Sequence, residues 1–222
     1  PKFFHPDPTV KRQSGFLMPS IGSSTNLGSS FNVPYYYVMA DNKDLTIRPR
    51  FYTDEKILLQ TEYRQLNKNS EHLIDFSYMN DKNPTKNHFF SESTSLVDFQ
   101  NFDETEVRLK IQRTSNETYL KTYKLESPII ESLDTLNSSL EFDTYRQDLS
   151  FNASLHVFED LSLDHKDRYE FVYPNYLLSK TFDPNFEING LLSLNSSGFM
   201  KNYNTNVYEK VIINDLIFNT YP

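Results

Sequence analysis

Nucleophilic or metal chemistry has few starting points in this 222-residue chain. The histidines are His5, His72, His88, His156 and His165, and they show none of the spacing that a metal site uses. There are no cysteines, which removes disulfides and thiolate ligands from this stretch. Ser93 and Ser95, near His88, come closest to a nucleophile with its base, but no nucleophile-elbow pattern accompanies them. The expectation is no catalytic residue, no metal and no cofactor.

Charged residues offer more. Arg48, Arg50, Glu62, Arg64, Arg108 and Lys110 fall in the middle of strand-like runs. A guanidinium suits phosphate because its planar fork makes two parallel hydrogen bonds. The plainer reading is a wet inner wall whose charges are solvated or pair with each other. Tyr35, Tyr36 and Tyr37 could stack on sugars, although an interfacial belt is the simpler role. The net charge is −8, from 22 Lys+Arg against 30 Asp+Glu, which argues against a nucleic-acid binder.

The elements that must position these residues alternate with a period of two. In Glu106-Val107-Arg108-Leu109-Lys110-Ile111-Gln112 every apolar side chain points one way and every polar one the other. Leu45 to Phe51, Ile74 to Tyr78, Leu140 to Asp143, Leu149 to Val157, Phe186 to Asn189 and Leu192 to Asn195 repeat the pattern. This predicts about a dozen strands. Turn-forming clusters separate them at Asp41–Asp44, Asn67–Ser70, Asp81–Lys86, Thr114–Asn116 and Asp183–Asn185. Ser127 to Asn137 is expected to be a loop excursion, with a helical turn as the alternative.

Alternation suits both a soluble sandwich and a membrane barrel. Strands near the roughly 9–11 residues of a tilted crossing, charges in mid-strand and aromatics near strand ends favour the barrel. No run approaches the ~18 apolar residues of a transmembrane helix. Within this pattern, Lys11 to Tyr37 reads as a hairpin with a proline in each strand, Pro19 and Pro34. Proline cannot donate to the ladder, so this pair is a weak seam and, in a barrel, a lateral door. Pro49 and Pro174 also fall in strand-like runs.

The same region carries a motif set. Lys11-Arg12-Gln13-Ser14-Gly15-Phe16-Leu17-Met18-Pro19, Gly28, Val33-Pro34-Tyr35-Tyr36, Asp44-Leu45-Thr46 and Glu62-Tyr63-Arg64 follow one another in order. Over about residues 1–66 this resembles the start of the barrel in the lipopolysaccharide-assembly LptD family, also called organic solvent tolerance protein. The resemblance implies a Gram-negative outer-membrane barrel near the top of the ~8–26 strand range. It also implies a preceding periplasmic jellyroll and an LptE-like lipoprotein plug in the lumen. Lipopolysaccharide would arrive along an LptA-like periplasmic bridge. Its sugar head would cross the lumen and leave through the seam between first and last strands, while its lipid chains stay in the bilayer.

On this reading residues 1–10 are the jellyroll connector, and residues 11–222 are the amino-terminal portion of a transmembrane antiparallel β-barrel. The first strand is Gly15 to Ile21. Gly15, Phe16, Leu17, Pro19, Pro34 and Tyr35 are the lateral-gate residues, and the six charged residues above face the lumen. The chain is a piece of a transporter and insertase, not an enzyme, and its closing strand lies elsewhere. The rival expectations are an outer-membrane lipase or deacylase barrel and a soluble β-sandwich adhesin.

Overall fold

The computed structural model describes residues 12–24, 27–53, 56–79, 86–164, 167–183, 190–203 and 207–220. The connector at 1–10 and the strand expected at Phe186 to Asn189 lie outside the described residues, as does most of the turn segment at Asp81–Lys86.

Among the described residues, fourteen strands form one antiparallel sheet. They are β1 (Gly15–Phe16), β2 (Ser20–Ser24), β3 (Gly28–Asn32), β4 (Tyr35–Ala40), β5 (Lys43–Tyr52), β6 (Ile57–Leu66), β7 (Ser70–Met79) and β8 (Lys86–Leu96). β9 (Glu104–Thr114), β10 (Thr135–Arg146), β11 (Leu149–Asp160), β12 (Tyr169–Phe182), β13 (Gly190–Tyr203) and β14 (Tyr208–Thr220) complete it, with one short helix, α1 (Tyr119–Tyr123). β1 and β2 lie along one strand line and β3 and β4 along the next, because β1 pairs with β4 and β2 with β3. From β4 onward each strand pairs with its successor. The result is a meander of about a dozen strand lines, the partial β-barrel that the alternation predicts.

Register fixes which side chains share a face. Across β5 to β8, Thr46, Glu62 and Asp75 stand opposite one another and are buried, as is Phe90 beyond them. On the other face Ile47, Thr61, Phe76 and Phe89 form the matching row, and Phe76 and Phe89 are exposed. Leu59, Leu109, Ile111, Leu140 and Leu155 are exposed on that outer face too. A sandwich would cover these residues with a second sheet. Among the described residues there is only one sheet, so the adhesin expectation fails. A ten-residue strand rises about 34 Å, which at a tilt of roughly 45° spans the ~25 Å apolar band of a membrane barrel.

Turn chemistry agrees with this meander. Asp41-Asn42 and Gln147-Asp148 are two-residue connections between paired strands. Arg146 donates from Nε and Nη2 to the two carboxylate oxygens of Asp148, at 2.6 and 3.2 Å, and Lys180 pairs with the same group. These hydrogen bonds hold the Asp148 carboxyl well below its ordinary range. The opposite ends of the strands carry the longest described connection, 115–134 between β9 and β10. Part of it is helical, at Tyr119–Tyr123, while the stretch expected as a loop is one up to Asp134, with a single turn closed by the Ile130 N–H on the Ser127 carbonyl, and its last residues, Thr135 to Asn137, belong to β10. The Asn116 side chain accepts from the Thr118 backbone and hydroxyl, and α1 ends at Lys124 in the left-handed region.

That connection folds back over the inner face. Tyr119, Leu120, Tyr123, Leu125 and Ile129 bury themselves against Tyr52, Leu58, Met79, Phe90 and Leu136, with Leu27 and Leu161 in the same cluster. The core is therefore inside the curve of the sheet, and the outer apolar face is left for lipid. Phe76→Arg on that outer face is expected to cost about 2–4 kcal/mol in a bilayer, where a water-facing site would cost within about 0.5 kcal/mol. Urea titration of the protein folded into lipid vesicles measures the difference. A cost at the lower figure would show that lipid does not cover this row.

Candidate functional site

The first two strand lines break at the same level. Against β5, Asn32 stands opposite Arg50 and Tyr35 opposite Ile47, so the β3–β4 line keeps one register through Val33 and Pro34. Against the edge line the register shifts by one residue, because Leu17–Pro19 stand opposite only Val33–Pro34. Two backbone bonds bridge the gap, Leu17 N–H to the Pro34 carbonyl (2.9 Å) and Val33 N–H to the Pro49 carbonyl (3.3 Å). Pro49 faces Val33 and so lies one residue from Pro34, and Pro19 lies in the gap facing Val33–Pro34, so three successive strand lines each carry a residue unable to donate near this level. Pro174 is elsewhere, at a register shift between β11, β12 and β13.

The edge line is β1 and β2 in place of one strand from Gly15 to Ile21, and among the described residues it has a neighbour on one side only. Gly15 pairs with Tyr36 and Phe16 with Tyr35, the two rings of the latter pair meeting edge-on at 5.1 Å. Phe16, Leu17, Met18 and Ile21 are exposed, Met18 at 90%. Pro34 is buried and Pro19 exposed. All six residues expected at the gate therefore cluster at one discontinuity of one sheet edge.

Arg48, Arg50, Glu62, Arg64, Arg108 and Lys110 share the inner face of β5, β6 and β9, and all but Arg50 are ion-paired. Arg48 reaches Glu62 (3.1 Å), and Arg64 lies 3.7 Å from the same carboxylate. Arg64 Nε donates to Asp44 Oδ1 at 2.8 Å, and Arg12 donates to Asp44 Oδ2 at 2.6 Å. Arg108 joins Glu106 (2.5 Å) to Glu141 (3.1 Å), and Lys110 pairs with Glu131 (2.7 Å). The plainer reading of the sequence is the one this arrangement favours. Arg50 differs, since it donates to the Tyr123 carbonyl at 2.6 Å.

Arg50 is one of three side chains that catch the backbone of the β9–β10 connection at intervals of three residues. Gln60 donates to the Glu126 carbonyl (3.1 Å) and Gln112 to the Ile129 carbonyl (3.0 Å). Beneath them runs a buried relay. Gln60 Nε2 donates to both oxygens of Asp75, and His88 Nε2 stands 2.7 Å from Asp75 Oδ1. His88 Nδ1 is 2.5 Å from Ser77 Oγ, which is 2.7 Å from the Tyr119 hydroxyl. A neutral imidazole donating from Nε2 satisfies every group, with Tyr119 donating to Ser77 and Ser77 to His88. Burial pushes the Tyr119 phenol up, so it keeps the proton it donates.

Ser77, His88 and Asp75 have the composition of a nucleophilic triad, but all three are fully buried beneath the connection and no substrate reaches Ser77. In the sequence it is Ser93 and Ser95 that stand near His88. Ser93 instead contacts His72 Nδ1 at 2.6 Å, because the β7–β8 register puts Ser77 opposite His88. The relay is an anchor. Its missed signal was Tyr119, Leu120 and Tyr123, whose spacing lays three large side chains on one helical face.

Comparison with known proteins places this arrangement. Residues 1–108 match the family model described as LptD protein. The LPS-assembly protein LptD of Pseudomonas putida strain F1 is 28% identical over 218 residues, covering 94% of this chain and 22% of that protein. The LPS-assembly protein LptD of Pseudoalteromonas atlantica strain T6c is 33% identical over 165 residues, covering 72% of this chain and 21% of that protein. The chain thus spans about a fifth of the length of the curated relatives it matches.

Tyr119→Phe removes the donor to Ser77 without changing the packing, and is expected to destabilise the protein by about 1–3 kcal/mol. Gel mobility of the folded form after graded heating reads the change. Equal melting of variant and wild type would remove the relay as the anchor of the connection.

Proposed function

We propose, from the premise that this chain belongs to the LptD family, that it forms the amino-terminal part of an outer-membrane barrel that delivers lipopolysaccharide to the outer leaflet. The polar head of the lipid crosses the lumen and leaves sideways at the β1–β2 edge. Gly15, Phe16, Leu17, Pro19, Pro34 and Tyr35 form one lip of that opening. The other lip is a closing strand of the whole protein.

The observation that carries this reading is that the first three strand lines each carry a proline near one level, and that the outermost line has, among the described residues, a neighbour on one side only. A backbone group that meets lipid without a partner costs several kcal/mol, so barrels close their ladders everywhere. A level at which successive strands lack donors is where such a ladder parts most easily. The exposed Phe16, Leu17, Met18 and Ile21 would meet lipid chains beside the opening. Arg48, Arg50, Glu62, Arg64, Arg108 and Lys110 would face the lumen. Because most of them are paired, they would present a near-neutral polar wall over which a phosphorylated sugar passes without being held.

The partners follow from the family in the same way. An LptE-like lipoprotein would fill the lumen beside the β9–β10 connection. An LptA-like periplasmic bridge would feed the barrel through a jellyroll joined by the connector at residues 1–10. The role is transport and insertion, with no cofactor and no catalytic residue.

Restoring donors at the seam tests the proposal. Pro19→Ala combined with Pro34→Ala in the full-length protein is expected to slow the appearance of labelled lipopolysaccharide at the cell surface several-fold at equal barrel abundance. Export at the wild-type rate would overturn the role of the break.

A further inference from the structure

The charged residues of the sequence motifs meet in one ladder, and two of its members, Arg12 and Asp44, have no part in transport as proposed above. Arg12, Asp44, Glu62 and Arg64 come from three separate motif segments, and the structure links them in the order Arg12–Asp44–Arg64–Glu62, with Arg48 beyond. The centre is Asp44. Its side chain is 2% exposed, and one carboxylate oxygen accepts from Arg12 while the other accepts from Arg64. Tyr36 lies under the Arg64 guanidinium, 6.0 Å from centroid to carbon.

Arg12 precedes β1 by three residues, yet Asp44 is on β5, so the ion pair reaches over the β3–β4 line to the strand behind it. A second tie acts at the same end, where the Val38 backbone N–H donates to the Ser14 hydroxyl at 2.9 Å. Above these ties the edge line has two β1 pairings, the Leu17 bond to Pro34, and then the break. Beyond the break β2 pairs only with β3. The two parts of the edge are therefore attached by different means. The lower part is fixed through a buried carboxylate on β5, and the upper part hangs on a hairpin.

We propose that Arg12 and Asp44 are positioning residues that clasp the lower part of the edge strand to β5, so that opening of this edge is confined to the β2–β3 hairpin above Pro19 and Pro34. The inference rests on the reading that this edge opens, but its test does not use lipopolysaccharide. Arg12 is the residue to change. Its side chain is half-exposed, and when it is removed Asp44 keeps Arg64, so no buried carboxylate is left unpaired and the fold survives.

Amide hydrogen exchange of the full-length protein, purified without added lipopolysaccharide, reads the clasp locally. In wild type, peptides covering 13–18 are expected to exchange at least tenfold more slowly than those covering 20–24. Arg12→Gln should raise exchange in 13–18 and at Val38 about tenfold, and leave β6 to β8 within twofold. Arg12→Lys keeps the charge and should restore most of the protection. Unchanged exchange at 13–18 in Arg12→Gln would overturn the clasp, and so would an equal rise in every strand, which is general loosening. Wild-type export in the proline variants with this exchange pattern intact would overturn the role of the break alone, and slowed export with the pattern absent would overturn the clasp alone.

Discussion

Backbone pairing at the sheet edge governs the rest of this structure. Inside a bilayer an amide or carbonyl has no water to fall back on, so each strand must find its partners in its neighbours. Across β4 to β14 the chain meets this demand with antiparallel ladders, interrupted by register shifts at Val38–Ala40 and around Pro174. At Leu17–Pro19 and Val33–Pro34 it does not, and Pro49 extends the defect one strand further in. A single proline on an edge is a common way to blunt it. Three near one level remove donors between successive strands at the same height, so the seams between these strands are weakest there.

The inner face answers a different constraint. Charges and amides taken away from water must be partnered, and removing one member costs more than the pair contributes. Here the partners are arranged in two groups. Near the two-residue turns, Arg12, Asp44, Arg64, Glu62 and Arg48 form a charge ladder that faces open space. Near the long connection, Gln60, Asp75, Ser77, His88 and Tyr119 form a buried hydrogen-bonded relay under an apolar cap. The first group is half-wet and adaptable, and the second is dry and rigid. The wall is firm at the end where the connection covers it.

Much of this was legible in the residues. Alternation in Glu106 to Gln112 assigned each side chain to its face, because in a strand parity alone decides the matter. Proline has one well-defined defect, so Pro19 and Pro34 marked the break without any knowledge of the register. The pairing of charges was not legible, since whether Arg48 meets Glu62 depends on how β5 slides against β6. Ser77 rather than Ser93 faces His88 for the same reason. The helix Tyr119–Tyr123 is shorter than two turns, too brief for its period to stand out, and its formation depends on the face that receives it.

The docked β9–β10 connection also constrains the order in which the wall is built. Its contacts join Arg50 to Tyr123 and Gln60 to Glu126 across 73 and 66 residues of sequence, whereas neighbouring strands meet through short turns. Such distant partners close late, after the local hairpins. Until then Asp75, Ser77 and His88 face the interior uncovered, and water can solvate them. The last step of assembling this part of the wall is thus a drying step, in which one arriving segment both fills the cavity and completes the hydrogen bonds of residues placed there long before.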